Sequence, residues 1–112
     1  MVPVANPPGL AQLLLNSGIG RFDLASGRNF NRDFPDLAAL AQPWLPAESP
    51  ATRAEYLQQV RDAMQKALAA LPVASEVQAL RQHLLSLACD ADLVLDLHCD
   101  DQAILHLYAD PA

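Results

Sequence analysis

The sequence predicts an α/β chain: short apolar strands toward its two ends and amphipathic helices between them. Three observations carry this. Residues 2–5 form a short apolar run that meets Asn6-Pro7-Pro8-Gly9, a strong turn signal. Leu57, Val60, Met64, Leu68 and Leu71 recur at spacings of three and four, which lays one apolar stripe along a helix. Leu93-Val94-Leu95 is continuously apolar, the pattern of a strand buried on both faces.

Taken in order, residues 2–5 read as a strand running into the Asn6–Gly9 turn. Residues 10–15 read as one or two helical turns, broken at 16–20. Residues 21–35 hold Gly27 and two Asn but no clean period, so they read as a loop of defined shape. Residues 36–42 read as a short helix with Asp36 as N-cap, ended by Pro43-Trp44-Leu45-Pro46. Ser49-Pro50 offers a cap and a first-turn proline for the long helix, which Pro72 closes. Ser75 starts the next helix, with Gln78 as capping-box partner and Val77, Leu80, Leu84 and Leu87 as its stripe. These two helices are expected to form an antiparallel hairpin or to pack on one face of a sheet. Residues 92–98 and 103–108 read as strands.

Over half of the chain (52%) is hydrophobic and 18% is charged, which places it among folded rather than disordered sequences. A domain of 112 residues buries only part of its surface, so self-association through an exposed core face is expected. The net charge of −6, with seven scattered basic residues, argues against nucleic acid and against anionic membrane surfaces. Cys89 and Cys99 form neither a CxxC pair nor a disulfide framework, and read as free thiols of a reducing compartment. No stretch reaches the ~18–20 apolar residues of a membrane span, and no signal peptide is visible. The expected setting is cytoplasmic.

Two groups of residues carry candidate chemistry. His98 ends an apolar strand, where sites gather in open α/β sheets, and Asp96 is placed to support it as a metal ligand. Asp101 and His106 are its local candidate partners, but a closed zinc site takes four ligands. The second group is the loop with Arg21, Arg28 and Arg32 in an otherwise acidic chain. Arginine grips a carboxylate in a bidentate fork, and Asn31 adds an amide donor beside Arg32. The competing reading pairs these arginines with Asp23, Asp33 and Asp36 to fix the loop. His83, Tyr56, Trp44 and Tyr108 read as surface or packing residues, and Asp100 and Asp101 as solvated turn residues.

Asn6-Pro7-x-Gly9, an arginine, Asn29-x-Asn31-Arg32-Asp33-Phe34-Pro35 and Asp96-Leu97-His98 occur in one order. This ordered set resembles the zinc metallocarboxypeptidase superfamily, in its succinylglutamate desuccinylase/aspartoacylase branch, over nearly the whole chain. The resemblance implies a central mixed sheet with flanking helices, incomplete here, and one partial catalytic domain. Residues 1–35 would hold the substrate loop, 36–91 the helical segment and 92–112 a strand pair carrying the metal ligand. It implies that Asn31 and Arg32 hold the carboxylate of a small substrate, a peptide C-terminus or an N-acyl amino acid. It further implies that His98 binds zinc and that Arg21, with Arg28 the alternate, polarises the scissile carbonyl. Asp33, Phe34 and Pro35 would shape the loop.

The chain departs from that pattern. Only residues 1–5 precede the Asn6-Pro7 turn, where the family carries a His-x-x-Glu pair of zinc ligands, and the family's late general-base glutamate has no counterpart. The expectation is a piece of a zinc-dependent amide hydrolase, inactive by itself because hydrolysis needs metal-bound water and a base. The alternatives are a non-catalytic carboxylate-binding remnant and a protein-interaction module.

Overall fold

A computed structural model describes residues 2–48 and 50–96. The architecture is mixed α/β: four helices and one small two-stranded antiparallel sheet. In chain order these are α1 (Pro7–Ala11), β1 (Leu13–Leu14), β2 (Ser17–Gly18), α2 (Leu37–Ala41), a 3-10 turn (Gln42–Trp44), α3 (Arg53–Ala69) and α4 (Glu76–Cys89).

The N-terminal part differs from the sequence reading. Residues 2–5 form no strand; they are exposed and irregular, and Pro3 and the Pro7-Pro8 pair remove ladder donors from and around this run. Pro7 and Pro8 instead sit in the first turn of α1, where their missing N–H groups cost nothing. Residues 10–15 divide between the end of α1 and a hairpin in which Leu13 pairs with Gly18 and Leu14 with Ser17. Leu15 and Asn16 turn the hairpin with φ of 49° and 64°. Two successive left-handed residues suit the right-handed twist of a two-residue hairpin loop.

α2 follows the sequence reading closely: the Asp36 carboxylate accepts the Ala39 N–H at 3.1 Å. α3 begins later than the Ser49-Pro50 signal suggests. Its cap is Thr52, whose hydroxyl accepts from Glu55 N, while the Glu55 carboxylate accepts from Thr52 N and Ala51 N. A reciprocal capping box satisfies two helix donors at once, which a Ser-Pro start does not. Ser49 lies outside the described residues. α4 starts at Ser75 as read, but the Gln78 side chain accepts from Ala74 N, one residue upstream of the cap.

α3 and α4 form the antiparallel hairpin. Gln82 Nε2 donates to the Leu68 carbonyl, Gln65 bonds Ser86 through its side-chain amide and carbonyl, and Arg61 pairs with Asp92 at 2.7 Å. Positions thus rise along α4 as they fall along α3. α2 packs on α3. The core holds Phe30, Ala41, Ala63, Ala67, Leu68, Val77 and Cys89. The stripe of α3 is buried in part: Leu68 is buried and Val60, Met64 and Leu71 are half-buried, whereas Leu57 is exposed and Ala63 and Ala67, beside the stripe, lie in the core. On α4, Arg81 and Cys89 turn inward and Leu87 outward.

The expected strand over 92–98 is not present in its described part. Residues 92–96 are irregular, and Leu93, Val94 and Leu95 are 76%, 58% and 68% exposed. An apolar run forms a buried strand only where neighbouring strands accept it, and none lies beside it among the described residues. The rest of that run and residues 103–108 lie outside the described residues. Among the described residues no helix is long and apolar enough to cross a membrane.

Candidate functional site

The loop of residues 21–35 is closed by backbone bonds. Phe22 and Asn29 form an antiparallel bridge, Phe30 N donates to Arg21 O at 3.1 Å, and Asp23 N donates to Arg28 O at 2.8 Å. At the tip, Gly27 N donates to Asp23 O, and Gly27 takes a φ of 68° that favours glycine. The Asp23 carboxylate accepts from the Ser26 hydroxyl and from Ser26 N, and the hydroxyl bond above all holds its pKa below the ordinary value.

Three side chains tie this loop to the rest of the chain. Asn6 Nδ2 donates to the Gly20 carbonyl at 2.8 Å while its Oδ1 accepts from Gly9 N at 2.9 Å. The turn and the residue before Arg21 are therefore joined by one amide. Gln12 holds the first arm of the loop, donating to Phe22 O and accepting from Leu24 N, both at 2.7 Å. Arg81 reaches from α4: Nη2 donates to Asn29 O at 2.6 Å and Nε to Phe30 O at 3.4 Å.

The backbone pairing places Arg21 directly across from Phe30, so Arg21 and the Asn31-Arg32 pair share one end of the loop. The Arg21 guanidinium lies 5.8 Å from the centroid of the Phe22 ring, within cation–π range. Asn31 is half-buried, and its N–H donates to Asn29 Oδ1 at 2.9 Å. Arg32 is exposed, with Nη1 donating to the Asn31 carbonyl at 2.6 Å. Arg28 is exposed on the far arm of the loop. Asp33 takes a φ of 58°.

The aspartates read as rival partners are engaged elsewhere. Asp23 holds Ser26, Asp36 caps α2, and Asp33 lies 3.9 Å from Arg81. Among the described residues no ion pair joins them to Arg21, Arg28 or Arg32.

His98, with Cys99, Asp101 and His106, lies outside the described residues. Asp96 is described and exposed. Among the described residues no group of three or more His, Cys, Asp or Glu side chains is arranged to hold a metal ion. His83, the histidine among them, is exposed on α4. The expected metal ligand, His98, is thus not among the residues in which a metal-holding group could be sought.

An open groove of ≈ 550 Å³ lies elsewhere, lined by Leu37, Leu57, Val60, Met64 and Leu85 among others. Cys89 borders it with Sγ 3.9 Å from Met64 Sδ, and burial pushes its thiol pKa up.

Arg81 escaped the sequence reading as a functional residue. The signal was present: it falls four residues after Val77 and three before Leu84, on the apolar stripe of α4. A charged residue on such a stripe either leaves the helix face or finds buried acceptors.

Scanned against protein-family models, the chain matches none, and no curated protein sequence is similar to it.

Proposed function

We propose that this chain holds the carboxylate of a small substrate, a peptide C-terminus or an N-acyl amino acid, as part of a zinc-dependent, carboxypeptidase-like amide hydrolase. Asn31 and Arg32 grip the carboxylate, and Arg21 faces the acyl carbonyl from across the loop. The single observation that supports this is the backbone pairing of Arg21 O with Phe30 N, which brings residues 21, 31 and 32 to one end of a closed loop. Arginine's fork suits a carboxylate, and among the described residues neither Arg21 nor Arg32 forms an ion pair with the loop's own aspartates. No hydrolytic step is assigned to this chain, because its described residues do not make up the metal centre. A reducing, cytoplasmic setting goes with this reading, and Cys89 is a free thiol.

Isothermal titration of N-acetylglycine into wild type and Arg32→Ala tests the proposal. The expected result is saturable binding that weakens about tenfold or more in the variant, as for loss of one charge-assisted hydrogen bond. Equal heats from both proteins, or none from either, would remove it.

A second reading rests on exposed apolar side chains. Leu10, Leu13, Leu14 and Leu15 are 74%, 65%, 50% and 94% exposed around the β1–β2 hairpin. We propose that this patch pairs with another copy of the chain, since patches of this kind mark interaction surfaces. Sedimentation equilibrium of wild type against Leu14→Asp/Leu15→Asp would show association lost in the variant. A wild type that stays monomeric at all concentrations would eliminate this reading.

A further inference from the structure

Resting on the carboxylate-holding reading above, we infer that Arg81 is the positioning residue of the Asn31-Arg32 clamp, and that Asp33 is the internal counter-ion a bound carboxylate must outcompete. Arg81 is 5% exposed, the one buried charged residue among those described. Burying a guanidinium is costly unless acceptors surround it. The acceptors here are two consecutive backbone carbonyls, Asn29 O and Phe30 O, about fifty residues away in sequence. A planar fork spans two adjacent carbonyls; a lysine ammonium on a flexible stem does not hold that geometry.

The consequence falls on the next two residues. With the carbonyls of residues 29 and 30 drawn toward α4, Phe30 N is directed to Arg21 O, and Asn31 N to Asn29 Oδ1. The chain enters residue 31 pinned from below and from the side. The charge matters as well as the shape. The carboxylate nearest to Arg81 among the described residues is Asp33, at 3.9 Å, with its side chain 71% exposed to screening water. Arg81 is therefore only partly neutralised, and it leaves a positive potential under the loop that favours an incoming anion. Asp33 also holds a left-handed φ of 58°, a conformation that asparagine accepts well. Asp33→Asn removes the counter-charge while keeping the backbone.

The test compares wild type, Arg81→Met, Arg81→Lys, Asp33→Asn and Arg32→Ala by backbone amide exchange and by titration with N-acetylglycine. In Arg81→Met the amides of Asn31 and Arg32 should exchange at least about tenfold faster, while those of Leu68 and Val77 keep their rates. Binding should weaken by a similar factor. Arg81→Lys should fall between, and it replaces Arg81→Met if that variant does not fold. Asp33→Asn should bind several-fold more tightly with loop exchange unchanged, and that gain should shrink when Asp33→Asn is combined with Arg81→Met.

Unchanged loop exchange in both Arg81 variants overturns the positioning role, whatever the titrations show. Uniform acceleration that includes Leu68 and Val77 overturns it too, since Arg81 would then serve the whole fold. Asp33→Asn binding no more tightly than wild type overturns the counter-ion role. If Arg32→Ala binds like wild type while the Arg81 variants loosen the loop, the carboxylate reading falls and the positioning of residues 31–32 stands.

Discussion

The side-chain amide of Asn6 joins two glycines: it accepts from Gly9 N and donates to the Gly20 carbonyl. Gly9 is buried, and a Cβ built on it would run into both the Asn6 side chain and the Gly20 carbonyl. The turn and the residue before Arg21 are thus in contact because residue 9 has no side chain.

Gly9→Ala should therefore destabilise the chain by about 1–3 kcal/mol, as overpacking against backbone does. Asn6→Ala should cost about 1 kcal/mol by loss of the bridging amide. Both are read by urea unfolding, with the Arg21 amide exchange rising in each. A Gly9→Ala protein as stable as wild type would contradict the close approach.

Leu68 is fully buried in the last turn of α3, 1% exposed. Leu68→Ala should cost about 2–5 kcal/mol, a large share of what a small domain holds. Leu57→Ala, on the same sequence stripe but 44% exposed, should cost far less. Chemical denaturation of the pair tests which face of α3 is buried; equal losses would restore the stripe read from spacing alone.

Thr52→Ala removes one half of the capping box of α3 and should cost about 0.5–2 kcal/mol. Pro50→Ala should change stability by only a few tenths, because residue 50 precedes the cap. Thermal unfolding separates the two, and a larger loss at residue 50 would move the start of the helix back to Ser49-Pro50.

Asp23 is held below its ordinary pKa by the Ser26 hydroxyl. A carboxyl lowered in the folded state adds stability above its unfolded pKa, near ~4, and that stability is lost as pH falls through the folded value. Ser26→Ala should raise the Asp23 pKa toward ordinary and flatten the pH dependence of stability in that acidic window. A carbon-13 titration of the carboxyl checks the shift; an unmoved pKa in Ser26→Ala would refute the hydroxyl as its cause.

How much was legible in the sequence divides by range of interaction. Asp36, Ser75, the stop near Pro72 and the shaped loop at residues 21–35 were readable, because each is settled by groups a few residues apart. The candidate site residues stand out in the sequence only through the order of short motifs. That order could not disclose that Arg21 lies across from Phe30, or that Asp23 and Asp36 have other partners.

By itself the sequence determined the two long helices, the Ser75 cap of α4 and the loop between the turn and α2, while α3 starts at Thr52 and not at the Ser49-Pro50 signal. The tertiary structure decided how far each position of α3 is covered: Ala63 and Ala67 lie in the core with Leu68, and Leu57 stays outside it. It decided that the Leu10–Leu15 run would be part helix and part hairpin, and that Leu93-Val94-Leu95 would lie exposed, with no strand beside it among the described residues. It also decided the fate of Arg81. A lone arginine in an apolar stripe has no local partner, and only the folded chain brings the carbonyls of Asn29 and Phe30 to meet it.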